Sequence, residues 1–174
     1  LILSPTHELT SQITDVLLEL NKYTKYSIQK LIGGMSTNDC REILKNDPQI
    51  IVGTPGKILD LINRKYLFTE SIHSFVLDEA DEMLSYGFQE SISTIISFLS
   101  RDCQICLYSA TIPSEILDLT TKFMNEPERI LVQNEELTLD GIKQFYINSK
   151  NIKWKVDIIK DLYEMINIGQ CIIY

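Results

Sequence analysis

Short apolar runs alternating with helical stripes constrain this chain more than any other feature. The runs "QIIVGT" at 49–54, "SFVLD" at 74–78 and "ICLYSAT" at 105–111 are brief and rich in β-branched or aromatic residues, as buried parallel strands are. A short strand is expected at the start of the chain, and others at "YSIQKLI" (26–32) and "RILV" (129–132). Between them Leu9, Ile13, Val16, Leu17 and Leu20 recur at helical spacing, as do Ile92, Ile95, Ile96 and Leu99, and both stripes are expected to face a core. Strand and helix alternate throughout, so the predicted class is α/β, a parallel sheet flanked by helices with right-handed crossovers.

The pattern breaks at "QNEELTLDG", a polar, acidic stretch over 133–141 that reads as a linker. Beyond it "IKQFYINS" alternates like a new strand. Ile152, Val156, Ile159, Leu162 and Ile166 form another helical stripe, and "CIIY" opens a further strand. The expected organisation is therefore a first domain over 1–132, a linker over 133–141 and the beginning of a second α/β domain over 142–174. "LILSPT" begins as though inside a strand and "GQCIIY" stops within an apolar run, the pattern expected of an interior piece of a longer chain.

A net charge of −8, with 44% hydrophobic and 23% charged residues, describes an ordinary soluble domain. No stretch approaches the roughly 18 uninterrupted apolar residues of a membrane span, and no basic leader precedes an apolar segment. The expectation is a soluble, intracellular protein with no membrane partner. Cys103 and Cys106 form a C-x-x-C, but on a strand positions three apart point to opposite faces, and neither a second pair nor a nearby histidine completes four ligands. Core thiols are expected there.

In open α/β sheets ligands bind beyond the carboxyl ends of the strands. Four such exits carry chemistry: "SPTHEL" at 4–9, "GTPGK" at 53–57, "DEAD" at 78–81 and "SAT" at 109–111. In the first two, Ser or Thr precedes Pro where a helix should start, which fits capping followed by proline in the first turn. A helix N-terminus also presents free N–H groups to an anion, so capping and phosphate binding both remain open from these residues alone. Gly33 and Gly34 allow a third close approach of backbone to ligand. The run "VLDEADEMLSYGF" then places Asp78, Glu79, Asp81 and Glu82 within five positions, an arrangement that repels itself unless it ends in solvent or a cation sits among the carboxylates.

"PTHEL", "GG", "TPGK", "DEAD" and "SAT", in that order, resemble a DEAD-box RNA helicase along the whole chain, and "DEADEMLSYGF", "KFMNEPERILV" and "EELTLDGIKQFYI" look most like the translation-initiation and exon-junction members. The resemblance implies two RecA-like domains, ATP and Mg²⁺ as cofactors, and single-stranded RNA bound through its backbone without regard to sequence. It implies partner proteins that bridge the two domains, and RNA clamping with local duplex unwinding in cytoplasmic translation initiation. The alternative it leaves open is a slow-turnover RNA clamp in an exon-junction-like complex, which would be nuclear. An ATPase unrelated to nucleic acid would require the first three motifs to be mere caps and turns.

Position by position, Asp78 is similar to the acid that holds Mg²⁺ through water, and Glu79 to the residue that orients or deprotonates the attacking water. The resemblance places Asp81 in a hydrogen-bond network with Ser109, Ala110 and Thr111 that couples ATP state to RNA grip. It assigns RNA contact to Pro5, Thr6, His7, Glu8, Gly33, Gly34, Thr54, Pro55, Gly56 and Lys57. Two positions depart from the family, His7 and Lys57, each where arginine is usual. Lysine keeps the charge without the bidentate fork, and histidine is largely uncharged at neutral pH. Nothing reads G-x-x-x-x-G-K-[ST]. The resemblance puts that loop and the adenine-reading segment upstream, with the arginine fingers downstream, so the chain alone is expected to lack ATPase activity.

Overall fold

The structure, a computed structural model, describes residues 1–85, 87–111, 114–131 and 141–174. Leu1–Glu128 and Arg129–Tyr174 are two compact units.

In the first unit five parallel strands form one sheet: β1 (Ile2–Leu3), β2 (Ile28–Leu31), β3 (Ile50–Gly53), β4 (Ser74–Leu77) and β5 (Gln104–Leu107), in the order β2-β3-β1-β4-β5. The registers are parallel at every pair, with Leu3 beside Gly53 on one side and Leu77 on the other. The helices are α1 (His7–Leu20), α2 (Thr37–Leu44), α3 (Pro55–Asn63), α4 (Ala80–Ser85), α5 (Gln89–Phe98) and α6 (Ser114–Phe123). Leu3, Leu31, Ile58, Leu61, Phe75, Leu77, Met83, Ile92 and Ile95 are among the buried residues of the core. As expected for α5, Ile92 and Ile95 are fully buried, with Ile96 and Leu99 packed against the core.

The α1 stripe departs from the expectation. Thr10 and Thr14 are its buried residues, Leu9, Ile13 and Leu17 are half-buried, and Val16 and Leu20 lie open. Burial of two threonines is tolerated because their hydroxyls donate to carbonyls one turn back, Thr10 to Thr6 and Thr14 to Thr10, both at 2.7 Å. Ser4 Oγ and Thr10 Oγ1 also meet at 2.6 Å, so the helix seats its threonine face and turns the apolar stripe sideways. β5 is likewise half-buried rather than buried, because it is an edge of this sheet, and Cys103 and Cys106 are half-buried free thiols, Cys103 packed against the core as expected.

In the second unit a 3₁₀ turn, Ile152–Trp154, leads into α7 (Lys155–Met165). Neither 142–149 nor 171–174 is a strand, nor is 129–131 of the expected "RILV". Alternation alone does not make a strand: each needs a neighbour to bond, and these segments have none among the described residues. The expected stripe is not buried either. Ile159 and Leu162 are half-covered, while Ile152, Val156 and Ile166 are exposed. The expected linker lies, apart from Gly141, outside the described residues. Among the described residues no helix is long and apolar enough to cross a membrane.

Candidate functional site

Because all five strands run parallel, every strand exit lies on one edge of the sheet. Four of these exits carry the motifs picked out in the sequence, and the turn after β2 carries the two glycines.

Leaving β1, Ser4 is still bonded into the sheet, its N–H donating to Gly53 O at 3.1 Å. Thr6 is the N-cap of α1, its Oγ1 accepting from Leu9 N–H at 3.2 Å. Pro5 therefore stands before the cap rather than in the first turn, because the Ser4 hydroxyl is occupied with Thr10. Pro5 is buried, while Thr6, His7 and Glu8 are exposed, and Glu8 suits the positive end of the helix. At α3 the expected order holds: Thr54 is the N-cap and Pro55 enters the first turn, although the Thr54 side chain makes no capping bond.

The turn after β2 ties these two helix starts together. Gly34 has φ +83°, in the left-handed region glycine favours. A Cβ on Gly33 would come within 2.9 Å of His7 Nε2, so the imidazole sits directly on that backbone. From α3, Lys57 Nζ donates to Met35 O at 3.0 Å. His7, Gly33, Gly34 and Lys57 thus form one contiguous surface. Neither the Met35 carbonyl nor the close fit at Gly53 carries a sequence signal. A Cβ on Gly53 would meet Leu31 O and Ile58 Cδ1 at 2.7 Å each.

At β4 the ladder runs one residue further than the strand, Asp78 N–H donating to Leu3 O at 3.0 Å. Glu79 then adopts φ +55°, sparsely populated for a side chain of this size. Its neighbours hold it there. Glu79 N–H donates to Asp78 Oδ1 at 3.2 Å, Ala80 N–H to Tyr108 O at 3.1 Å and Asp81 N–H to Ser109 Oγ at 3.2 Å. The kink ends the strand, starts α4 at Ala80 and leaves the Glu79 side chain beside Asp78 on the sheet edge.

Across from it lies the β5 exit. Thr111 Oγ1 donates to Asp81 Oδ2, Ser109 Oγ donates to Thr111 O at 2.7 Å, and Glu82 N–H donates to Asp81 Oδ1 at 2.9 Å. The structure joins Asp81, Ser109 and Thr111 as expected, with exposed Ala110 as the small residue between the two hydroxyls.

The electrostatics separate the two acids. Burial raises the Glu79 carboxyl above its ordinary value, and the charges of Asp78, Asp81 and Glu82 raise it further. Burial also pushes Asp81 upward, but the bonds from Thr111, Ser109 and the Glu82 amide outweigh it and hold the carboxyl below its ordinary range. Ser109 has a single proton to divide between Thr111 O and that carboxylate. Glu79 is thus the better proton acceptor, and Asp81 is a fixed anion inside a network.

Among the described residues no three acidic, histidine or cysteine side chains converge as a metal cage. A single carboxylate at Asp78 still fits Mg²⁺, which takes one or two carboxylates and fills its remaining positions with water and substrate phosphates.

The sequence signature of the DEAD/DEAH box helicases matches residues 1–119. The chain is 49% identical over 174 residues to proteins named ATP-dependent RNA helicase eIF4A from Neurospora crassa and from Candida albicans; all of this chain is covered, and 44% of each relative. It therefore spans less than half the length of those relatives. Among solved structures it is similar to S. cerevisiae Dbp5 bound to RNA and ADP BeF3, at 35% identity and TM-score 0.77 over 94% of this chain and 41% of that one. It is also similar to a DEAD box protein from Methanococcus jannaschii, at 41% identity and TM-score 0.66 over 72% of this chain and 34% of that one. A sheet edge carrying "PTHEL", "GG", "TPGK", "DEAD" and "SAT" in the family's order, together with these matches, places the chain in the DEAD/DEAH box helicase family.

Proposed function

We propose that the chain is part of an ATP-dependent RNA helicase, one that couples ATP hydrolysis to clamping of single-stranded RNA and local duplex unwinding. The complete protein acts in cytoplasmic translation initiation, a reading supported by the initiation-factor names of its relatives. The observation that carries the helicase reading is the link between Asp81 on the β4 exit and Thr111 and Ser109 on the β5 exit, immediately beside Glu79.

In this reading Asp78 would hold Mg²⁺, which when bound would neutralise charge developing on the transferred phosphate. Glu79 takes a proton from, or orients, the attacking water in line with the breaking bond. Asp81 stays ionised within its network, so a change at the phosphate side of β4 is felt at the β5 exit. Thr6, His7, Glu8, the Gly33–Gly34 turn and Thr54–Lys57 hold the RNA backbone, with Pro5 and Pro55 fixing the chain where each helix begins. Binding through phosphates and 2′-hydroxyls leaves the base sequence largely unread. The second unit begins the second RecA-like domain, and partner proteins bridge the two.

The test is RNA-stimulated ATP turnover by the complete protein. Glu79→Gln should slow kcat by at least about a hundredfold while changing ATP affinity little, because the group acts in the transition state. Turnover at the parent rate in the presence of RNA would remove Glu79 from the mechanism.

A further inference from the structure

The stretch from Gly141 to Val156 reverses the charge of its surroundings. It holds Lys143, Lys150, Lys153 and Lys155 and no acidic residue, in a chain of net charge −8. All four lysines are exposed, and none is in a salt bridge among the described residues. Trp154, the chain's single tryptophan, stands between Lys153 and Lys155 and is 53% exposed. The local backbone is fixed. Asn151 Oδ1 accepts from Lys153 N–H at 3.0 Å, Trp154 N–H donates to Asn151 O at 3.1 Å, and the 3₁₀ turn runs directly into α7.

Three unpaired ammonium groups within six residues repel one another, and the half-exposed indole between two of them offers a flat apolar face. One ligand class suits both. Single-stranded nucleic acid supplies phosphates at regular intervals and flat base faces between them, and every base stacks on an aromatic ring whatever the sequence. An acidic peptide would satisfy the lysines but offers the indole no such face.

We propose that Lys150, Lys153, Trp154 and Lys155 form a binding site for single-stranded RNA on the second unit, made of residues other than the strand-exit motifs. The proposal rests on the helicase reading only for the choice of RNA as the polyanion. Lys153 and Lys155 take successive phosphates, Lys150 extends the track, and the indole stacks one base.

The single tryptophan makes the test local. Oligouridylate titrated into the 174-residue chain should quench its tryptophan emission, and polyglutamate should not. Replacing Lys150, Lys153 and Lys155 together by Gln should lower the log–log salt slope of that binding by roughly 2, about 0.7 for each lost phosphate contact. By anisotropy of labelled oligouridylate, Trp154→Ala should lose about tenfold in affinity, and Trp154→Phe should recover most of it. All these positions are exposed, and circular dichroism confirms that each variant is folded before titration. Absent quenching, equal quenching by polyglutamate, or an unchanged salt slope overturns the site. If quenching fails while Glu79→Gln still stops turnover in the complete protein, only this site falls. If quenching follows the lysines while Glu79→Gln turns over normally, the site stands and the catalytic reading falls.

Discussion

Glu79 and Asp81 are two carboxylates in the same motif pushed in opposite directions, and the difference lies in what touches them. Glu79 has the acids Asp78, Asp81 and Glu82 for neighbours, whereas Asp81 receives Thr111 and the Glu82 amide. For Asp81 the linkage sign follows from a folded-state value below the unfolded one. The network's stability is present above the ordinary carboxylate value and is lost as pH falls from there through the lowered folded-state value. Thr111→Val should therefore lower stability at pH 7, by no more than about 1 kcal/mol because the site is open to solvent. The gap to the parent should narrow as pH falls below the ordinary carboxylate value of about 4 and close only once pH has passed the lowered folded-state value, where the carboxyl is protonated in both states. Thermal melts across pH 3–8 check this. His7 is a different case at the same scale. The sequence shows it as a departure from arginine, but only the structure shows its ring resting on Gly33, so that either residue constrains the other.

At the level of elements, the positions of β2, β3, β4, α3 and α5 were legible because their apolar runs and caps agree with one another. The α1 stripe misled because hydrophobic periodicity assumes that the core side is apolar. Here Thr10 and Thr14 take that side, their hydroxyls satisfied within the helix, and no pattern of leucines reveals it. The strand exits that hold the motifs were legible for a simpler reason: parallel strands all end on one edge, so placing the runs places the site. What stayed hidden were contacts to backbone atoms, such as Lys57 to Met35 O, and the joint of β2, β3 and α3 at Gly53. That joint gives a sharp contrast. Gly53→Ala forces a methyl to 2.7 Å from the Leu31 carbonyl and should cost about 2 kcal/mol. Gly56→Ala, with nothing within 4 Å and a helical position, should gain up to about 1 kcal/mol. Denaturant midpoints of the two variants should move in opposite directions.

Over the whole molecule, the two units differ in how far the sequence pattern is realised. The first has its sheet, its helices and a buried core, so there the pattern and the structure agree apart from the α1 stripe and the half-buried β5. In the second the same kind of pattern leaves Phe145, Tyr146, Ile172 and Ile173 exposed, because alternation becomes a strand only against a partner. In the proposed reading, Asp81, Ser109 and Thr111 join the acids that face the nucleotide to the residues that face RNA on the first sheet edge. The most direct measurement compares ATP turnover and duplex unwinding in the complete protein carrying Thr111→Val. Glu79 and Asp78 remain in place, so RNA-stimulated hydrolysis should stay within about twofold of the parent, while strand separation per ATP consumed should fall about fivefold, the change that about 1 kcal/mol on this solvent-open bond gives. Unwinding and turnover falling in parallel, or neither falling, would contradict the claim.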